Sequence, residues 1–280
     1  IAMNFRIVSD SSSNIYTLSD VDFASVPLKI ITGKKEYVDN ADLDVSEMVA
    51  CIKAEKAPAS TSCPNVGEWL DAFEGADCIF AITISGNLSG TYNAAIHAAG
   101  EYKRTHPECR ICVLDSLSTG PEMQLIIEKL RDLILAGHTF EEIRAEIRNY
   151  MKTTHLFFTV LSMENLAKNG RCSMALAKVA GVLGIRFIGR ASDQGTIESV
   201  AKPRGERKML ETLLSELART GFRGGKLRIS HSFNPGAAEQ LRTMVLDCFP
   251  GSDVQILPNG GLCSYYADLG GMIVGYETEE

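Results

Sequence analysis

Short apolar segments alternate with helical patterns through the first half of the chain, and this alternation narrows the possible folds more than any other feature. Segments at 5–8, 78–84 and 110–114 have the length and apolar content of buried strands. The longer segments between them repeat apolar residues at helical spacing. This order predicts a parallel sheet covered by helices on both faces, with the loops that follow the strands gathered at one edge.

Loops rich in hydroxyl groups follow these three strands. Their sequences are SDSSSN at 9–14, SGNLSGT at 85–91 and DSLSTGP at 115–121, and a related segment, PASTSCP, occupies 58–64 before another helical pattern. Serine and threonine next to a helix start commonly cap that helix. Serine and threonine in such loops can also bind a ligand, because ligands of parallel sheets bind at the edge where the strands end. The residues alone leave both interpretations open.

Two of these loops supply the main candidates for a ligand site. Glycines let the backbone approach a ligand closely, and hydroxyls and the amides of a helix start donate hydrogen bonds to an acceptor. Neither loop contains lysine or arginine, which favours a carboxylate or phosphate held by hydrogen bonds more than by opposite charge. The candidates are Thr61, Ser62, Ser85, Gly86, Ser89 and Gly90.

The pattern changes near residue 155. Segments at 185–188 and 196–200 have strand character around the short turn Asp193-Gln194-Gly195, and so short a turn joins antiparallel strands. We therefore predict an α/β protein of two α/β domains. Residues 1–155 form the N-terminal domain, with a mainly parallel sheet and the hydroxyl-rich loops, and residues 156–280 form the C-terminal domain, with a mixed sheet.

Charge and hydropathy argue against two classes of partner. The formal net charge is −7, so we expect no binding to a nucleic-acid backbone. No apolar run has the length of a membrane span, and strand-like residues begin at once instead of a secretion signal. We therefore expect a cytoplasmic protein without a membrane span, for which transient contact with a membrane stays possible.

The eight cysteines are scattered along the chain, unlike the disulfide framework of a small secreted domain. Cys109 and Cys112 have the spacing of a metal or redox pair, but no second pair accompanies them. In a strand, residues three apart point to opposite faces. We predict buried structural thiols, with no metal and no cofactor.

An enzyme is the first alternative, with Ser85 or Ser89 as nucleophile, His231 as base and Asp10 or Asp115 orienting it. The chain lacks a Gly-x-Ser-x-Gly nucleophile turn, a phosphate-binding Walker loop, a Gly-x-Gly-x-x-Gly loop and a His-Glu-x-x-His motif. We therefore expect a binding protein that is not an enzyme. A carrier or sensor of another small carboxylated or phosphorylated metabolite is the second alternative.

Several motifs occur in the order that one known family has. They are SDSS at 9–12, VPL at 26–28, TSCP at 61–64, TISGNLSGTY at 83–92, DS at 115–116, LAKNGRCS at 166–173 and PRG at 203–205. With this ordered set the chain resembles the DegV family of bacterial fatty-acid-binding proteins over nearly its whole length. The resemblance implies two α/β domains with a long-chain fatty acid, bound without catalysis, in a slot at their interface.

The same resemblance assigns roles to residues. The family's carboxylate contacts fall on Thr61 and the Ser85-Gly86 corner, with Ser62, Ser89, Gly90 and Tyr266 nearby. In several members the protein presents the fatty acid to a separate fatty acid kinase that makes acyl-phosphate, and Arg171 and Arg204 would then belong to the docking surface. We expect the apolar helices at 123–135 and 174–183 to line the slot.

Several positions depart from the family pattern, among them Asn169 in place of a glycine and Arg186-Phe187 in place of lysine-proline, and three further departures bear on the expected site. Cys63 stands where glutamine is usual, and Gly86 replaces the second serine of a pair, which removes one hydroxyl. Tyr266 aligns with a C-terminal histidine that, in the family, precedes a glycine-proline-glycine turn, and here Asp268-Leu269-Gly270 follows instead.

Overall fold

The computed structural model describes residues 3–55 and 58–279, and within these ranges the chain forms thirteen strands and ten α-helices. The first half contains β1 (Phe5–Asp10), β2 (Asp22–Val26), β3 (Lys29–Ile31), β4 (Glu36–Val38), α1 (Val45–Ala54), β5 (Ser60–Ser62), α2 (Val66–Phe73), β6 (Cys78–Thr83), α3 (Thr91–Thr105), β7 (Arg110–Asp115), α4 (Gly120–Leu135) and α5 (Phe140–Tyr150). The second half contains β8 (Thr154–Val160), α6 (Glu164–Lys168), α7 (Met174–Ala180), β9 (Phe187–Ala191), β10 (Ile197–Ala201), α8 (Glu206–Arg219), β11 (Lys226–His231), α9 (Pro235–Cys248), β12 (Asp253–Pro258), α10 (Gly261–Ala267) and β13 (Met272–Glu277).

A four-stranded parallel sheet forms the centre of the N-terminal half, in the order β2-β1-β6-β7. Every residue of β6 is buried, because α2 and α3 cover one face of the sheet and α4 and α5 cover the other. A strand that is buried on both faces has a nearly continuous apolar sequence, and this is why the strand could be predicted from the sequence. The predicted parallel sheet with helices on both faces is confirmed.

A six-stranded mixed sheet forms the C-terminal half, in the order β10-β9-β8-β13-β11-β12. The β11–β12 pair is parallel and the other pairs are antiparallel, so the predicted mixed sheet is also confirmed. The predicted hairpin joins β9 and β10. Helices α8 and α9 pack their apolar faces on one side of this sheet.

Helix α4 lies between the two large sheets. It packs on β13, β11 and β8 of the mixed sheet and on β1 and β6 of the parallel sheet. Residues 120–128 are consequently buried on every side of the helix. At Gly275 of β13, a Cβ atom would lie 2.5 Å from the amide nitrogen of Glu122, so glycine is needed for this close approach.

A third, antiparallel sheet was not predicted, with the order β4-β3-β5. The sequence suggests one extended segment over 25–31, but the chain breaks it at Pro27, between β2 and β3. Proline cannot donate to a ladder, so it separates the strand of one sheet from that of another. Strand β5 pairs Thr61 with Ile30, which fixes Thr61 beside α10.

Four of the eight cysteines are buried, including Cys109 and Cys112, whereas Cys63 and Cys248 are exposed, which differs from the prediction of buried thiols. All eight are free, and Cys109 and Cys112 belong to hydrophobic clusters on opposite faces of the parallel sheet, as their spacing predicts. Across residues 3–55 and 58–279, no three side chains of histidine, cysteine, aspartate or glutamate come together as a metal site. Over the same ranges, no helix combines the length and hydrophobicity that crossing a bilayer requires.

Glu122 gives the fold a pH dependence that can be measured. Burial raises the pKa of this carboxyl to about 7, and Thr154 Oγ1 donates a hydrogen bond of 2.9 Å to it. Between its ordinary pKa of 4.5 and about 7, the folded chain keeps a proton that the unfolded chain releases. The proton therefore stabilises the fold at low pH, and this stabilisation is lost as pH rises through about 7.

We expect Glu122→Gln to remove this dependence, because an amide keeps an acceptor for Thr154 and does not titrate. Relative to the wild type, the variant should gain about 2–3 kcal/mol in free energy of unfolding between pH 5 and pH 8. Denaturant unfolding of both proteins across that range is the measurement. Parallel stability curves for the two proteins would contradict the assignment.

Candidate functional site

A cavity of about 340 Å³ lies between the two halves of the molecule. Both halves line it, and most of the lining is apolar. The N-terminal half contributes Leu28, Ile84, Leu88 and Leu117, and the C-terminal half contributes Leu156, Phe158, Val160, Leu166, Ala191, Ile197, Leu262, Ala267 and Ile273. The predicted slot at the domain interface thus has a counterpart of a size typical for small-molecule sites.

The cavity wall does not come from the helices that the sequence suggested. No residue of 123–135 or 174–183 lines it. The expectation was wrong for two reasons. The apolar residues of α4 pack between the two sheets. Helix α7 does not line the cavity, and its Met174 is 55% exposed. Strands β8 and β13 and helix α10 form the wall instead.

Phe158 on β8 has an unusual position in this wall. It pairs with Gly189 on β9, and a Cβ atom at Gly189 would lie 2.3 Å from the tip of the phenyl ring. The tip of the ring therefore occupies the place that a side chain at residue 189 would take, and Phe158 lines the cavity. The sequence signal was available, because Leu156, Phe158 and Val160 alternate along one face of a predicted strand.

The polar end of the cavity is formed by the hydroxyls of Thr61 and Tyr266, which lie 2.6 Å apart in a hydrogen bond. Burial raises the pKa of Tyr266, and the positive charge of Arg171 partly opposes that shift. Ser62, Ser89 and Gly90 line the cavity as well. Five of the seven residues named as ligand contacts from the sequence therefore border one cavity, although they come from three distant segments.

Helix capping does not account for the hydroxyls of Thr61 and Ser62. Helix α2 is capped by Asn65, whose side chain accepts from the Glu68 amide at 2.9 Å while Glu68 binds the Asn65 amide. At α3 the N-cap is Gly90, which has no side chain to bind the first amides. The Thr91 amide instead donates to the Ser89 hydroxyl at 3.3 Å, and the start of this helix, with its partial positive charge, lies beside the cavity.

Arg171 adds a cation to this end of the cavity. Its Nε donates to the Leu88 carbonyl at 2.9 Å and a terminal nitrogen donates to the Asn169 carbonyl. The side chain is half-buried and lines the cavity. Arg171 and Arg204 were both expected at a docking surface. Arg171 is half-buried, whereas Arg204 is exposed and donates to the Leu183 carbonyl at 3.1 Å.

Ser85 and Gly86 lie next to the cavity but do not line it. The Ser85 hydroxyl is buried and donates to the Gly195 carbonyl at 2.6 Å. The Gly86 amide donates to the Asp115 carboxylate at 3.1 Å, and a Cβ atom there would lie 2.9 Å from that carboxylate. Both groups of this corner are thus occupied by protein partners, which differs from the direct ligand contact expected from the sequence.

The serine-enzyme alternative finds no support in the geometry. His231 ends β11 and accepts a hydrogen bond from the Asn234 amide at 3.2 Å, and it does not line the cavity. Asp10 accepts from the Ile84 amide at 2.6 Å, and burial raises its pKa to about 6. These groups fix loops in place, and none of them forms a hydrogen bond to the hydroxyl of Ser85 or Ser89 among the described residues.

Two α/β units around an apolar cavity that ends in hydroxyl groups define an α/β ligand-binding protein. The sequence profile of the DegV family matches residues 4–279, and the chain belongs to this family. A DegV domain-containing protein of Streptococcus pneumoniae is 40% identical over 281 residues, covering 99% of this chain and 100% of the relative. The resemblance drawn from the ordered motifs is thereby confirmed.

Solved structures agree with the fold. A DegV family protein from Eubacterium eligens loaded with heptadecanoic acid is 42% identical with a TM-score of 0.96, covering 98% of this chain and 100% of that one. The Fatty Acid Kinase (Fak) B3 protein of Streptococcus pneumoniae, loaded with linoleic acid, is 40% identical with a TM-score of 0.98, covering 99% and 100%.

Proposed function

We propose that this protein binds one long-chain fatty acid, without catalysis and without a cofactor, and presents its carboxylate to a fatty acid kinase in the bacterial cytoplasm. The observation that carries the proposal is a mostly apolar cavity whose lining includes the hydrogen-bonded hydroxyls of Thr61 and Tyr266, with Arg171 close to them. A second arginine, Arg190, lines the cavity from the β9–β10 hairpin. Such a cavity suits a molecule with one acidic head and a long apolar chain. Relatives loaded with heptadecanoic and linoleic acid support the same ligand class.

The acyl chain supplies most of the proposed affinity. Each buried methylene contributes roughly 0.8 kcal/mol, so about fourteen contribute on the order of 11 kcal/mol before ordering costs are subtracted. At the head, each hydrogen bond to an ionised carboxylate contributes roughly 1.5–3 kcal/mol, which offsets the cost of removing the charge from water. The polar end therefore sets the orientation of the fatty acid more than its total affinity.

The proposed head-group site consists of Thr61, Tyr266, Ser89 and the amides at the start of α3, with Ser62, Gly90 and the charge of Arg171 beside them. The corner formed by Ser85 and Gly86 shapes the loop that carries Ser89. Tyr266 keeps a hydrogen-bonding oxygen where the family has a histidine, but a phenol does not carry a positive charge. We therefore expect the replacement of histidine by tyrosine to affect phosphorylation of the fatty acid by the kinase more than binding of the fatty acid.

For the partnership with a kinase, we propose Arg204 as part of the docking surface, because its side chain is exposed. A kinase subunit would bind ATP and phosphorylate the carboxylate at the polar end.

We also propose that the boundary between the two domains falls near residues 155 and 156. The sheets support that boundary, because every strand of the parallel and third sheets ends before residue 116 and the mixed sheet begins with β8 at Thr154, two residues before residue 156.

Thr61→Val tests the proposed head-group site, with Thr61→Ser as its matched control. Valine keeps the shape of threonine and removes the hydroxyl, so affinity for palmitate or oleate should fall about tenfold or more. Serine keeps the hydroxyl and should bind almost as the wild type does. Calorimetric titration of delipidated protein measures both variants, and equal affinity for Thr61→Val and wild type would contradict the site.

A further inference from the structure

The turn between β9 and β10 is held by two side chains of the N-terminal half. Ser85 Oγ donates to the Gly195 carbonyl at 2.6 Å, and Asn87 Nδ2 donates to the Gln194 carbonyl at 2.5 Å. These residues are separated by more than a hundred positions in the sequence, so the contact joins the two halves of the molecule. Both acceptors are backbone carbonyls at the tip of one hairpin.

Gly195 is required for this contact. Its φ of +74° is a conformation that residues with a side chain rarely adopt. A Cβ atom there would lie 2.2 Å from Ser85 Oγ and 2.8 Å from the Cα atom of Leu117. The backbone of the turn therefore rests directly against two loops of the N-terminal half, and only glycine permits that distance.

The hairpin forms one wall of the cavity. Residues 190, 191 and 195–197 line it, and Leu117 lines it from the opposite side of the contact. Among the described residues, strand β10 is the edge strand of its sheet and pairs with β9, and their register shifts between Ser199 and Ala201. An edge hairpin with an irregular ladder opens more easily than a central strand, so its tip depends on the two hydrogen bonds that it receives.

We propose that Ser85 and Asn87 are positioning residues that clamp this hairpin over the acyl chain, and that opening of the clamp sets how fast a fatty acid enters and leaves. The inference rests on the proposed function, and it gives Ser85 a role other than contact with the carboxylate. The clamp is formed without the ligand's participation. Loosening it should therefore speed both association and dissociation while changing the equilibrium affinity little.

The decisive experiment compares Ser85→Ala/Asn87→Ala with wild type in stopped-flow binding and release of a fluorescent long-chain fatty acid. Loss of both hydrogen bonds should raise the association and dissociation rates by about tenfold each. Ser199→Ala is the matched control, because Ser199 is an exposed serine on the same hairpin, outside the cavity lining. It should leave both rates unchanged.

A second variant loosens the clamp by another route. Gly195→Ala introduces the Cβ atom that has no room against Ser85 and Leu117, and it should speed exchange as the double variant does. A variant that releases ligand faster but associates at the wild-type rate would overturn the clamp, since that result describes a lost contact with the ligand. Unchanged rates in both variants would overturn it as well.

Hydrogen exchange of the ligand-free protein separates failure of the clamp from failure of the proposed function. Amides of 187–201 should exchange faster in Ser85→Ala/Asn87→Ala than in wild type, whatever the ligand proves to be. If wild type binds no fatty acid, the proposed function fails and this readout still judges the clamp. Equal exchange in the two proteins would overturn the clamp on its own.

Discussion

Ala191→Trp should abolish tight binding of long-chain fatty acids. Ala191 lines the apolar cavity at the end of β9, beside Leu156, Cys263 and Ile273. An indole at this position would occupy space that the acyl chain needs. Exclusion of about five methylenes removes roughly 4 kcal/mol of binding free energy, which corresponds to a loss of affinity of about a thousandfold.

Ala145→Trp is the matched control for that result. Ala145 lies on the exposed face of α5, so the same substitution there should leave fatty acid affinity unchanged. Circular dichroism and thermal unfolding establish that both variants fold. Wild-type affinity in a folded Ala191→Trp variant would mean that the acyl chain does not occupy this cavity.

Arg228→Met should destabilise the protein by about 3–5 kcal/mol, because it leaves a buried carboxylate without its partner. Arg228 on β11 is 1% exposed and its Nε lies 2.9 Å from a carboxylate oxygen of Glu128 on α4. A terminal nitrogen also donates to the Asp253 carbonyl at 2.7 Å. The ion pair joins α4 to the mixed sheet. We therefore expect its loss to lower the free energy of unfolding of the whole chain.

Arg219→Met measures what an exposed ion pair contributes in the same protein. Arg219 and Glu216 lie one turn apart on α8, and the arginine side chain is 63% exposed. Exposed pairs contribute at most about 1 kcal/mol. Urea unfolding of both variants should therefore show a much larger loss for Arg228→Met, and equal losses would contradict the buried-pair account.

The parallel sheet was predictable because its signal is local. Strand β6 is buried on both faces, so a run of five apolar residues followed by Thr83 marks it without knowledge of its neighbours. The small third sheet lacked such a signal, since β3, β4 and β5 are only three residues long each. Helix α10 was missed for a similar reason, because glycines flank a segment of only seven residues.

The candidate site was predictable only in part. Loop composition singled out Thr61 and Ser89 as hydroxyl donors, but the hydrogen bond between Thr61 and Tyr266 joins residues 205 positions apart. The family resemblance named Tyr266, and no local pattern could have done so. The direction of the Ser85 hydroxyl toward Gly195 was likewise beyond sequence reasoning, because it depends on how the two halves meet.

The apolar wall shows a different limit. Alternation along β8 places Leu156, Phe158 and Val160 on one face and Phe157 on the other. Phe157 joins the core under α8 and α9, whereas the other three line the cavity. An apolar face that meets a helix and one that meets a ligand have the same composition, so sequence could not separate them.

The most direct test of the central claim is mass spectrometry of the purified protein, first under native conditions and then after extraction with organic solvent. We expect a long-chain fatty acid to accompany the wild-type chain in a ratio near one to one, and to be absent from Ala191→Trp. An unliganded mass for the wild type, together with no uptake of added fatty acids, would contradict the account and leave another small acid as the ligand.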